Sequence, residues 1–327
     1  MASITLKDIA FVNNTATNET LSYPVSGIVL SKMTRFWILL IFEVPSLFCC
    51  VLLLYYLCFD RIQRNALNNH VIIAILIFNF FLLIIDIPNY LTLFRLHYVW
   101  PSTPINCYIW LVVDIAGYYG LGILMAWASI ERHILVFHHQ WLNTLKKRIF
   151  IHYIPLAAII LYLSIFYTIL IFFVSCDHTL NYAAYTCGGA CAYEIAALSM
   201  YDGFVNGDLP CFVTTIFNIL LVIRVIKQKQ RLHQHVQWRK HRRMIIQLLA
   251  CAGLFIVFNL PLVCIYVAQA FGVPYGATGQ FEYFVYFLAY FIMLWMPFVC
   301  LGSSPEILSK IKRIMKPQRI NTTITPH

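Results

Sequence analysis

The sequence predicts an all-α membrane protein, a bundle of seven transmembrane helices. Three observations carry this expectation. Seven apolar runs are each long enough to cross a bilayer as a helix. The 327 residues are 61% hydrophobic and only 11% charged, with a mean hydropathy of +0.76, whereas soluble domains are roughly a quarter charged. Lys and Arg are distributed unequally between the segments that join the runs.

The runs lie near residues 36–59, 71–94, 107–130, 150–174, 204–223, 245–269 and 281–303. The first is interrupted only by Glu43, and the second carries Asn79 and then Asp86. The third starts at Cys107, holds Asp114 and ends on Glu131-Arg132-His133. The fourth contains no charge after Arg148. The fifth follows a polar stretch with Asp202, Asn206 and Asp208, the sixth contains Asn259 and Pro261, and the seventh opens at Glu282 and contains Pro297.

The formal charge of +10 is informative through its location. Residues 60–70, 131–149, 224–244 and 304–327 hold 19 of the 23 Lys and Arg residues, which makes that side cytoplasmic. An odd number of spans then places the N-terminus outside, where Asn13 and Asn18 are glycosylation acceptors. The first 35 residues show no charged start followed by a cleavable apolar stretch, so the first span is expected to be an uncleaved anchor. The expected organisation is an extracellular tail over 1–35, a membrane domain over 36–303 and a cytoplasmic segment over 304–327, in the plasma membrane. Positive residues that fringe apolar spans fit a lipid bilayer as partner and not a nucleic acid.

Seven of the eleven cysteines fall in spans and read as small apolar packing residues. The other four, Cys107, Cys176, Cys187 and Cys191, fall on the outer side, where disulfides form. Three pairings are open. Two bridges would tie the 175–203 loop to itself and to the top of the third span.

Each intramembrane acid is a functional-site candidate, because a carboxylate in hydrocarbon needs a partner or access to water. Glu43, Asp86, Asp114 and Glu282 all lie in outer halves of spans. An acidic, outward-opening cavity would select a cation; Tyr, His and Asn donors in the same spans offer a purely structural alternative. No Gly-x-Ser-x-Gly, His-Glu-x-x-His or paired Cys-x-x-Cys pattern is present, so neither an enzyme nor a metal site nor any cofactor is expected. A seven-helix transporter or channel is the rival class, although no matching halves with interrupted helices occur.

Cys107, Asp114 seven residues later and Glu131-Arg132-His133 closing the span 25 residues after Cys107 resemble the rhodopsin-like (class A) G-protein-coupled receptors, as a divergent invertebrate-type member. Trp100, Pro88, Pro210 and the Phe255/Pro261 pair agree with positions frequent in that family. Ser304 to Met315, with its amphipathic Ile307, Leu308, Ile311 and Ile314, resembles the family's short eighth helix on the inner leaflet. The resemblance covers about residues 36–316. It departs from the family at Asn79 in place of an aspartate, Asn218 in place of a tyrosine, Asn259 in place of a tryptophan, and Met296-Pro297-Phe298-Val299-Cys300 in place of Asn-Pro-x-x-Tyr.

The resemblance implies a receptor for an extracellular small molecule or peptide that activates a heterotrimeric G protein; an uncoupled receptor-like protein is the subtler alternative. It implies that Cys107 pairs with Cys187 or Cys191 and Cys176 with the one remaining. It places Asp114 as the ligand's counter-ion, with Tyr290 donating to it and Asp86, Tyr118, Tyr286 and Asn259 completing the site. Glu131 is expected to hold Arg132 until activation, with His133, Asn79, Phe255, Pro261 and Pro297 along the activation path. The family's retinal-binding lysine would fall at Tyr290, so retinal is not expected. Polar residues other than serine in the outer fifth span favour a basic neuropeptide over an amine.

Overall fold

A computed structural model describes residues 30–137, 144–176, 179–231 and 235–303, with position 308. Among these residues there is no strand, and seven helices are long and apolar enough to cross a membrane: α1 (Lys32–Phe59), α2 (Asn69–Leu96), α3 (Pro104–Leu135), α4 (Leu145–Phe172), α5 (Ala196–Lys227), α6 (Ile246–Gln269) and α7 (Phe281–Gly302). The chain is thus an all-α, multi-pass membrane protein. The acceptors Asn13 and Asn18 and the expected eighth helix lie outside the described residues.

Among the boundaries that differ from the hydropathy reading, three have a local cause. α1 begins at Lys32, capped by Ser31, whose hydroxyl accepts from the Thr34 amide at 3.1 Å. α5 begins at Ala196, because Asp202, Asn206 and Asp208 are buried within the bundle and need not be excluded from it. The helix containing α6 runs from His235 to Ala270, its end on the Lys- and Arg-rich side continuing as a helix through a polar stretch that hydropathy cannot register; that side is called inner and the opposite one outer, after the expected orientation.

α3 is the centre of the bundle and packs against α2, α4, α5 and α6, while α7 closes the ring on α1, α2 and α6. The α2–α3 approach depends on two glycines. A Cβ at Gly120 would lie 2.7 Å from the Phe78 ring, and one at Gly117 would lie 2.8 Å from the Leu82 side chain. The outward faces are apolar, with Phe48, Leu161 and Val257 exposed, as hydrocarbon requires. Single polar contacts cross the interior. Asn79 donates to the Met293 carbonyl at 3.1 Å, Asn218 donates to the Ser129 hydroxyl at 2.8 Å, and the Cys251 and Cys300 sulfurs lie 3.5 Å apart.

Three helices contain a widened, π-type turn: Leu82–Asp86 in α2, Ile149–Tyr153 in α4 and Asp202–Asp208 in α5. Each ends two residues before a proline, Pro88, Pro155 or Pro210. A proline ring clashes with the carbonyl four residues earlier and donates no hydrogen bond, and widening that turn relieves both defects. Pro45, Pro261 and Pro297 sit inside helices that keep α geometry. Each widened turn carries a buried titratable group: Asp86, His152, or Asp202 with Asp208.

Replacing Gly120 with Val should force α2 from α3 and cost about 1–3 kcal/mol, the usual magnitude for overpacking. Thermal unfolding of the purified protein in detergent measures it. An unchanged transition would show that Phe78 can move aside.

Candidate functional site

In the outer half, Asp86 and Asp114 face one another across the α2–α3 interface. Asp86 is 0% exposed and accepts a 2.7 Å hydrogen bond from Trp110 Nε1 at Oδ1; its Oδ2 has no hydrogen-bond partner. Asp114 is 8% exposed and forms the more open side of the pair. Tyrosines wall the two acids. Tyr90 meets Trp110 edge-to-face at 5.0 Å and Tyr290 at 4.8 Å, and Tyr290 in turn meets Tyr286 at 6.0 Å. One turn below Asp114, the Tyr118 hydroxyl donates to Asn259 Oδ1 at 2.5 Å, tying α3 to α6.

The expected ligand-site residues therefore converge, with one correction. Tyr290 does not donate to Asp114: its hydroxyl is buried and has no hydrogen-bond partner, because its ring is held against Tyr90 and Tyr286. Two other intramembrane acids lie apart. Glu282 accepts from Gln269 Nε2 at 2.7 Å, bridging the outer ends of α6 and α7, and Glu43 is buried within α1.

Residues 179–195 of the long loop pack over this region. Cys107 and Cys187 lie at disulfide distance with Cα atoms 5.8 Å apart, and Cys176 and Cys191 likewise at 5.9 Å, which selects one of the open pairings. The first bridge ties the loop to the top of α3. Tyr185 from the loop is hydrogen-bonded to the Tyr283 hydroxyl and packs on Tyr90 and Phe94, while Arg35 of α1 lies over the Tyr283 ring at 4.3 Å. Burial, chiefly, raises the Tyr185 hydroxyl above the ordinary tyrosine range, so it stays neutral. None of these covering residues carries a sequence signal, since an exposed-loop tyrosine and a helix-start arginine are unremarkable until the fold joins them.

A second polar cluster lies beside α3. Asp202 accepts from the Tyr193 hydroxyl at 2.6 Å, the Tyr167 hydroxyl at 2.9 Å and Asn206 Nδ2 at 2.6 Å; Tyr162 donates to Asn206 Oδ1 at 2.9 Å. Tyr193 belongs to the loop, and burial raises its hydroxyl well above the ordinary range. With three donors, Asp202 needs no ligand. It is a clamp that fastens the loop to α4 and α5.

At the inner end, Glu131, Arg132 and His133 are all buried. Glu131 is hydrogen-bonded to His152 Nδ1 of α4, and His133 Nε2 lies 2.7 Å from the Phe217 carbonyl of α5, so it is the donor. Arg132 is within electrostatic range of Glu131. Beside the expected hold on Arg132, Glu131 thus has a second partner, a histidine from another helix. Phe255 is buried in α6 and lies against Gly122 of α3, and Pro261 and Pro297 are helix-internal.

No family model matches the chain, and no curated protein matches it. Function must therefore be read from this geometry: an acid pair under a covered outer mouth, a self-contained clamp, and a buried Glu-Arg-His triplet, joined by one helix.

Asp202→Ala leaves the Tyr167 and Tyr193 hydroxyls without their acceptor, and should cost about 1–3 kcal/mol for each buried group left unpaired. Asp202→Asn, which keeps an acceptor, should cost less. Unfolding midpoints of the two variants in detergent compare them; equal losses would refute the clamp.

Proposed function

We propose that the chain is a plasma-membrane receptor of the rhodopsin-like type, with its N-terminus outside, that binds an extracellular cationic ligand and activates a heterotrimeric G protein. The single observation that supports this most is the Asp86–Asp114 pair. Two buried carboxyl groups adjoin, and among the described residues Trp110 is the one hydrogen-bond donor to Asp86, whereas Asp202 has three. An acid pair so short of donors calls for a cation, and the tyrosine walls offer π faces to one.

Asp114 would be the principal counter-ion, being the more accessible acid, and Asp86 would support it. Tyr286, Tyr290, Tyr118 and Asn259 would shape the pocket. A basic peptide side chain or an amine satisfies this chemistry.

The remaining requirement is communication. From Asp114 to Arg132 along α3 is about 27 Å at about 1.5 Å per residue, so no ligand reaches both ends. Ligand binding would instead favour one arrangement of the helices over another. α6, hydrogen-bonded to α3 through Tyr118–Asn259 beside Pro261, is the element placed to respond, and its inner end moving away would open a G-protein site beside Arg132.

Cells expressing the protein should respond to a member of a panel of amines and basic peptides in calcium or cyclic AMP assays. Asp114→Asn should reduce potency roughly 10–150-fold with surface expression retained, corresponding to about 1.5–3 kcal/mol for a charge-assisted hydrogen bond. Arg132→Ala should abolish signalling while leaving radioligand binding intact. Undiminished potency in the first variant would remove Asp114 from the site; ligand-independent ion flux through reconstituted protein would replace the receptor reading with a transporter.

A further inference from the structure

One cation stands apart from the basic inner side. Of the four Lys and Arg residues on the outer side, Lys7, Lys32, Arg35 and Arg95, Arg35 is buried at 4% exposure in the first turn of α1, whereas Lys32 and Arg95 are exposed. Its guanidinium lies 4.3 Å from the centre of the Tyr283 ring and 5.7 Å from that of Phe287, within reach of the Tyr185 hydroxyl of the covering loop. Its Nε has no hydrogen-bond partner, and among the described residues no carboxylate forms an ion pair with it.

The acids on the same elements do not serve it. Glu282, next to Tyr283 in α7, accepts from Gln269 of α6. Glu43 lies about two turns further along α1, roughly 12 Å away at about 1.5 Å per residue. A buried charge without an opposite charge is costly. Ring faces offset part of that cost, but they engage the flat face of a guanidinium and leave its in-plane N–H groups to find acceptors. The acceptor beside it, the Tyr185 hydroxyl, is shared with Tyr283. A planar fork of N–H donors in this condition has the geometry that a carboxylate fills.

We propose that Arg35, with the Tyr283 hydroxyl, is the subsite for a carboxylate of the extracellular ligand, so that the ligand is bipolar, with its cation at Asp114 and Asp86 and its anion at Arg35. The cationic end rests on the receptor reading above; the anionic end rests on Arg35 alone.

The spacing defines the class of ligand. Tyr283 and Tyr290 are seven residues apart on α7, about 10 Å along the helix. Tyr290 adjoins Tyr90, which adjoins Trp110, the donor to Asp86. About 10 Å is the length of roughly three extended residues, so the ligand is a short peptide, or the end of a longer one, with a free C-terminal carboxylate. An amine without a carboxylate, or an amidated peptide, leaves Arg35 unpaired. Tyr185 lies between the two levels, its ring 5.8 Å from Tyr90 and 6.0 Å from Tyr283. Its hydroxyl stands where the carboxylate binds, so a ligand that reaches Arg35 turns Tyr185 off Tyr283 and loosens the cover. Lys32 and Arg95, the latter 4.0 Å from the Met33 sulfur at the start of α1, add the positive potential that draws an anion to this mouth.

The probes are triglycine, whose ammonium and carboxylate are about 10 Å apart when extended, and triglycinamide, which keeps the ammonium and lacks the negative charge. Titrating the unfolding midpoint of the purified full chain in nanodiscs gives both affinities. The wild type should bind the acid roughly 10–150-fold more tightly than the amide, the range for a charge-assisted hydrogen bond. Arg35→Gln should lose that preference and keep the wild-type affinity for the amide, while Asp114→Asn should weaken both probes and keep the preference. Equal affinities in the wild type, binding of neither probe, or a preference that survives Arg35→Gln overturns the carboxylate subsite and leaves the acid pair untouched. Unchanged affinities in Asp114→Asn remove the cation site, and with it the bipolar ligand, even where the acid is still preferred. Should Arg35→Gln fail to fold, Tyr185→Phe takes the competing hydroxyl from Arg35 and must tighten the acid without changing the amide; no gain there is equally fatal.

Discussion

Water cannot satisfy a polar group in the middle of a bilayer, so every ionisable side chain carried into this bundle must find its partner inside the protein. That constraint organises the molecule around α3. Asp86 is bonded to Trp110 of α3, Asn259 of α6 to Tyr118, Asn218 of α5 to Ser129, and His152 of α4 to Glu131. Each neighbouring helix is therefore located by a hydrogen bond to the same central rod as well as by packing. The glycines at 117 and 120 let α2 come close enough for its bond to form.

The same constraint separates structural acids from those that ask for something more. Asp202 and Asp86 are equally buried and both end up in or at the close of a widened turn. Asp202 is surrounded by three donors, two of them tyrosines whose hydroxyls have no better acceptor. Asp86 has one donor and an acidic neighbour. Composition cannot tell these cases apart, because tyrosine is abundant near both. Only the direction in which each hydroxyl is turned decides it, and at Tyr290 the direction opposes what the family resemblance implied.

Seven spans were legible because a run of about twenty apolar residues has almost no other use. The outer cysteines were legible as a set, but their pairing was not, since four positions in one loop and one helix start permit several closures. Asp86 and Asp114 could be placed at one level because position along a span fixes height, whereas Tyr286 and Tyr290 joined them only through the family resemblance. His70 and His152 carry no sequence signal, for a physical reason. They are 82 residues apart, meet at 2.9 Å between ring nitrogens and gain meaning only when two helix ends meet Glu131. The outer extension of α5 escaped for another: hydropathy treats Asp202 and Asp208 as unfit for a span, whereas a widened turn directs them inward.

The proline-linked π turns have a mechanical meaning as well. A turn containing one surplus residue is a dislocation in an otherwise periodic lattice, and a dislocation moves by exchanging one hydrogen bond at a time rather than by breaking a whole helix. Those described here lie in α2, α4 and α5, which surround α3 on adjoining sides. Within the described residues α3 is an uninterrupted α-helix. The bundle therefore behaves as a stiff axle held by three slip-capable struts, and a small rotation of one strut would carry Asp86, His152 or Asp202 with it while the axle keeps its register.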